Sequence, residues 1–181
     1  GIPSVVYGWI GLTILVPFIK DLFDLQFGFS VLAAGIVLAV MIYPTITSLS
    51  ADALRSISNS SRQASYGLGA TRWQTISKVV VPAAISGIMT AIVLGLARAF
   101  GEALAVAMVI GKMKAFPESI LSPTSNLTAA IASDMGGAME GSEYNLALWS
   151  MALLLFIVSL LFIFVIHYIS AKSAEAQGGK K

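Results

Sequence analysis

The sequence predicts an all-α protein, a polytopic transmembrane helical bundle, and three observations carry that reading. Apolar residues make up 57% of the 181 positions and charged residues 11%, against about 45–50% and about 25% in an ordinary soluble domain. Four segments come close to the roughly 20 apolar residues that a membrane crossing needs. The basic residues are unevenly divided between the connections.

The first segment runs from Ile2 to Ile19, closed by Lys20 and Asp21, with Pro3 and Pro17 near its ends, where proline is tolerated. The second, Phe29 to about Thr47, carries no charge. The third stays apolar from Val79 to Gly111 except for Arg98 and Glu102. The fourth, Leu146 to about Ile166, is flanked by Trp149, His167 and Tyr168, residues suited to a membrane interface. The transmembrane domain is expected over residues 1–170. Within it lie a polar connection at about 48–78 and a second at about 112–144, with a polar tail at 171–181 that is expected to be disordered.

The first connection is too rich in helix formers to be a slack linker. Asp52, Ser58 and Ser61 are candidate caps, and Gly67 and Gly69 candidate breaks, so two or more short helices at the membrane surface are expected. In the second, Pro117 and Pro123 precede a short helix expected over Asn126 to Met135. Four crossings put the first connection and the tail on one side, with Arg55, Arg62, Arg72, Lys78, Lys172, Lys180 and Lys181; Lys20, Lys112 and Lys114 face the other. The excess of Lys and Arg assigns the first connection and tail to the cytoplasm.

Several functions find no support. The net charge of +2 does not point to nucleic acid, and with no cysteine and one histidine there is no plausible transition-metal site. No Gly-x-x-x-x-Gly-Lys-Ser/Thr phosphate loop is present, so ATP binding is not expected. No catalytic residue or cofactor is expected. His167 reads as interfacial and the seven Met residues as packing. The start, Gly1-Ile2-Pro3-Ser4, has neither Met nor a basic leader, so the chain is expected to begin inside a longer protein.

The first connection carries Gln63-Ala64-Ser65, three residues, Gly69, nine residues, then Val79-x-Val81-Pro82. This resembles the signature loop of bacterial ABC-importer permeases: Glu-Ala-Ala, three residues, Gly, nine residues, Ile-x-Leu-Pro. Every spacing agrees; Gln63, Ser65, Val79 and Val81 depart conservatively, and Gln63 loses the charge of the family's Glu. Asp52-Ala53-Leu54-Arg55, Leu68-Gly69-Ala70-Thr71-Arg72-Trp73 and Arg98-Ala99-Phe100-Gly101-Glu102-Ala103-Leu104-Ala105-Val106 extend the resemblance. They are similar to PstC-type permeases of phosphate-specific ABC importers, within the binding-protein-dependent transport-system inner-membrane components.

The resemblance implies a MetI-like fold whose core has five helices, one of which would precede Gly1. It implies a bacterial inner-membrane heterodimer with a companion permease, a dimeric ABC ATPase and an extracytoplasmic phosphate-binding protein. Gln63, Ala64, Ser65, Gly69, Ala70, Thr71 and Pro82 would then belong to the ATPase-coupling loop, with Pro82 in the first turn of the third span. A permease for another oxyanion or nutrient remains an alternative. A self-sufficient channel or secondary transporter would leave the loop unexplained, and a membrane scaffold would leave both the loop and the buried charges unexplained.

Arg98 and Glu102 are the ionisable residues inside the apolar segments. Four apart, they are expected to share a helix face and to pair. Gly87, Ala91 and Gly95 precede them at spacing four, which suits close helix packing. Residues 79–111 would make one helix of about 50 Å, too long for a hydrocarbon core of about 30 Å, so a break near Gly101 is expected. Two readings, which do not exclude each other, fit the substrate path: Arg98 contacts phosphate in transit, its guanidinium matching phosphate oxygens, with Glu102 holding it in place and moderating anion affinity, or the two form a structural ion pair that pins the break.

Overall fold

The computed structural model describes residues 3–178. Among them are seven helices and no extended strand: α1 (Ser4–Leu22), α2 (Val31–Arg55), α3 (Asn59–Gly67), α4 (Arg72–Phe100), α5 (Leu104–Val109), α6 (Leu127–Asp134) and α7 (Glu143–Gly178). Helices α1, α2, α4 and α7 are long and apolar enough to cross a membrane. The chain divides into two compact units, Gly1–Ile42 with Arg98–Leu160, and Tyr43–Ala97 with Leu161–Lys181.

In the first unit the core forms around α5. Ala105, Val106, Val109 and Ile110 are buried with Val16 and Ile19 of α1 and with Ala33, Ala34, Val37 and Met41 of α2. The approach is closest at Gly8, where an added Cβ would stand 2.8 Å from the Ala105 Cα. The backbone around the core is also paired. The Ser30 amide donates to the Val109 carbonyl (3.3 Å), Val31 to Ser122 (3.2 Å) and Leu32 to Ile120 (2.8 Å). Ser30, fully buried, accepts from the Ala33 amide at 3.1 Å. The second connection therefore satisfies the first amides of α2, which have no partner within their own helix.

In the second unit α2 and α4 approach through small residues, as their spacing predicted. A Cβ on Gly87 would meet the Ala53 Cβ at 2.6 Å, and one on Gly95 would run into the Ile46 side chain. Helix α7 has no buried residue from Trp149 to Tyr168. It is apolar all round, as a helix facing lipid or another subunit must be.

Both Pro17 and Pro82 lie inside long helices rather than at their ends. Each is preceded by a π turn, Gly11–Leu15 in α1 and Ile76–Val80 in α4. The residue before each proline donates across the wider turn, Val16 to the Gly11 carbonyl and Val81 to the Ile76 carbonyl. Proline lacks an amide and its ring crowds the carbonyl four residues back; the π turn relieves both problems without ending the helix. The buried positions keep one seam through the turn. They run Gly8, Gly11, Val16, Ile19 in α1 and Thr75, Val80, Ala84, Ala91, Gly95 in α4, with a step of five at each turn.

Several boundaries differ from expectation. Pro82 does not begin the third span, because α4 runs unbroken from Arg72. Helix α2 continues eight residues past Thr47, since Ser48–Arg55 contains no glycine or proline to stop it; Asp52 accordingly caps no helix and pairs with Arg55 at 3.7 Å on the surface. Ser61 lies in the first turn of α3 instead of capping it. The expected disordered tail is helical to Gly178, its Ala, Lys, Glu and Gln residues extending a helix already nucleated. Ile2 and residues 179–181 fall outside the described part. The break near Gly101 and the helix at 126–135 form as expected, with Asn126 accepting from the Ala129 amide at 2.7 Å.

A polar cluster fastens α6 to the start of α7. The Tyr144 hydroxyl donates to Asp134 and accepts from Lys114 Nζ at 2.6 Å, and Lys114 stands 3.5 Å from Asp134. The Tyr144 hydrogen bond is the main cause holding the Asp134 carboxyl below its ordinary value and Lys114 above its own.

Two predictions follow from this packing. Gly8→Ala should destabilise the detergent-solubilised protein by about 1–3 kcal/mol through overpacking. Gly35→Ala, with nothing within 4 Å of the added Cβ, should be neutral or mildly stabilising; thermal unfolding compares the two. The Asp134 contribution is present above the ordinary carboxylate value and is lost as pH falls through the depressed one. The Lys114 contribution is present below its ordinary value and lost as pH rises through the raised one. The tether should therefore hold through neutral pH. In Tyr144→Phe, amide exchange over residues 127–134 should accelerate at a less acidic pH than in the parent.

Candidate functional site

The first connection folds into a rigid helix–turn–helix. Ser58 caps α3, its hydroxyl accepting from the Ser61 amide at 3.4 Å. The helix closes with a Schellman motif: the Gly69 amide donates to the Tyr66 carbonyl (2.9 Å) and the Ala70 amide to the Ser65 carbonyl (3.2 Å). Gly69 has φ +79°, a conformation that side chains resist and glycine accepts without strain. Two residues later Thr71 opens α4 with a capping box. Its hydroxyl accepts from the Gln74 amide (3.3 Å) while the Gln74 side chain accepts from the Thr71 amide (2.8 Å).

Contacts between α3 and α4 lock the pair. Ser65 Oγ and Thr75 Oγ1 are 2.9 Å apart, and Thr75 is 1% exposed. Ser65, which replaces the family's second Ala, thus supplies a cross-link between the helices. Gln63 and Ala64 point to the exposed face, and Ala70 is half-buried in the turn. Pro82 lies one turn beyond the pair, inside α4. The tip is apolar and uncovered: Leu68 is 90% exposed and Trp73 75%. Sequence reading missed Thr75 and the exposed pair; a Leu and a Trp flanking a polar turn were the available signal.

Arg98 and Glu102 belong to the first unit. They do not form the expected ion pair; among the described residues the ion pairs are Arg55–Asp52 and Lys114–Asp134. The reason is the break itself. Helix α4 stops at Phe100, so the i,i+4 geometry is lost, and the Glu102 carboxylate accepts from the Ala105 amide at 3.2 Å. Glu102 is half-buried and caps the buried α5. Arg98 is exposed, and its guanidinium bonds to no described residue.

Four membrane-length helices, with a locked helix pair between the second and third, define a multi-pass membrane protein. The description "binding-protein-dependent transport system inner membrane component" matches residues 1–175, and the chain belongs to this family. A Bacillus subtilis (strain 168) protein, "probable ABC transporter permease protein YqgH", is 58% identical over 95% of this chain and 56% of its own length. The "phosphate transport system permease protein PstC" of Haemophilus influenzae is 32% identical over 98% of this chain and 62% of its own. PstC 1 of Mycobacterium tuberculosis is 35% identical over 89% and 54%. The chain thus spans a little over half the length of these curated relatives. No solved structure matches it significantly.

The geometry separates the roles of the two charged residues. Glu102→Gln keeps an acceptor for the Ala105 amide and should assemble normally. Glu102→Ala should lose about 0.5–2 kcal/mol with the cap. Detergent stability of the two variants checks this, and equal losses would contradict the capping role.

Proposed function

We propose that the chain forms the translocation path of an ABC-importer permease in the bacterial inner membrane, and that inorganic phosphate is the solute. The observation that carries this reading is the locked α3–α4 pair, with α4 continuing from the docking turn straight into a membrane-length helix. Displacement of the turn is displacement of the span. Leu68 and Trp73 offer the desolvatable apolar anchors that a partner cleft recognises. That partner is a separate, dimeric ATPase, which performs the ATP hydrolysis. The remaining partners are a companion permease and an extracytoplasmic phosphate-binding protein.

The phosphate assignment rests on the PstC relatives and on Arg98. An exposed guanidinium presents a planar fork to phosphate oxygens, and Glu102 forms no ion pair with it. The second reading is another oxyanion or nutrient, and the name of the YqgH relative states no substrate.

Three measurements test the proposal. The sequence has no cysteine, so single cysteines at Ser58 and Ser125 report sidedness cleanly: an impermeant maleimide should reach Ser58 from the cytoplasm and Ser125 from outside. Gly69→Val should abolish ATPase co-purification and ATP-dependent uptake, because a β-branched residue resists φ +79°, while Gly69→Asn, which tolerates that region, should retain much of both. Arg98→Lys should assemble yet take up labelled phosphate poorly, since it keeps charge but loses the fork. Undiminished phosphate uptake by Arg98→Lys would count against the phosphate contact, and competition by other oxyanions but not by phosphate would select the second reading.

A further inference from the structure

The last turn of α2 exposes carbonyls that have no partner in their own helix. The Asp52 carbonyl accepts from the Ser56 amide (2.9 Å) and the Ala53 carbonyl from the Ser56 hydroxyl (2.8 Å). The Leu54 carbonyl is taken by a residue eight positions on: Arg62 Nη2 donates to it at 2.7 Å. Arg62 sits on α3, the first helix of the docking pair. A cation at a helix C-terminus is also favoured by the helix dipole.

This contact is more than a surface arginine finding a nearby oxygen. The Arg62 Nε is buried and has no hydrogen-bond partner among the described residues. A guanidinium free to choose would turn that N–H to water, since burying an unpaired donor costs free energy. The side chain is therefore held in a partly desolvated slot between α3 and the end of α2. Nothing in its sequence position required this; Arg62 reads simply as one more cytoplasmic positive charge.

We propose that Arg62 is the positioning residue that ties the docking helix to α2, so that one displacement of the helix pair moves two membrane-length helices together. This rests on the reading that the α3–α4 turn is where the ATPase docks. Helix α4 receives the displacement through its own backbone and through Ser65–Thr75. Helix α2 is joined to α3 by the three residues 56–58, and Arg62 adds a side-chain tie across that link. Loss of the tie leaves docking intact and lets α2 lag behind α4.

The test uses the complete transporter in proteoliposomes, comparing Arg62→Met, which keeps the aliphatic length without a donor, with Arg62→Lys, which restores one donor. ATPase co-purification, ATP hydrolysis and labelled phosphate uptake are measured on each. In Arg62→Met, co-purification and hydrolysis should persist while phosphate taken up per ATP falls about tenfold, the scale of one charge-assisted hydrogen bond. Arg62→Lys should recover a substantial part of that ratio. An unchanged ratio in Arg62→Met overturns the proposal, and so does loss of the assembled complex, which would make Arg62 a folding residue. Gly69→Val run in parallel reports on docking itself: if it leaves co-purification intact, the docking assignment fails, whatever Arg62→Met does.

Discussion

The first unit depends on the burial of α5, a helix of six residues of which Ala105, Val106, Ala107 and Val109 are buried. So short a helix cannot hold itself together in isolation. It persists because α1 and α2 close over it, at Gly8 and along Val37, and because its ends are tied: Glu102 takes the Ala105 amide at one end, and the Ser30 amide takes the Val109 carbonyl at the other. The break at Gly101 is what allows the chain to leave α4 and enter this core. The second connection is arranged as a consequence, since residues 120–124 must follow α5 back across the start of α2 to satisfy backbone groups there.

The second unit solves a different problem. It joins a polar helix–turn–helix to a membrane-length helix with no break in α4. The Schellman motif at Gly69, the capping box at Thr71 and the Ser65–Thr75 contact make the turn stiff, and the π turn carries α4 past Pro82 instead of stopping it. The two units therefore differ in what they build: one a packed core around a short helix, the other a stiff helix–turn–helix that runs into a membrane-length helix. Polar groups in both satisfy irregular backbone.

Much of this architecture is legible in the sequence where the signal is local. Composition and segment length marked all four membrane-length helices. Ser58 announced its helix by capping chemistry, Gly69 its turn, and the excess length of residues 79–111 announced the break. Gly87, Ala91 and Gly95 announced a close helix approach by spacing. What escaped depends on tertiary context. Proline signals a helix boundary in sequence, but whether a π turn absorbs it is decided by what packs on either side. The i,i+4 spacing of Arg98 and Glu102 implied a pair only if the helix continued, and the same reading that placed a break at Gly101 undermined it. Arg62 was indistinguishable from any basic residue in a polar connection, because its partner is a carbonyl and carbonyls have no sequence identity.

The π turns carry one more consequence. Each inserts a single extra residue, which advances the helix by about 100° relative to an uninterrupted α-helix. The buried seam stays straight only because its own spacing stretches to five there, from Gly11 to Val16 and from Thr75 to Val80. The length of these two stretches is thus a phase setting. Removing one residue from either would yield a more regular helix and a less functional one: every side chain on one half would be turned away from the neighbours it was selected to meet. In these helices the irregular hydrogen bonding is the feature that keeps the sequence in register with the fold.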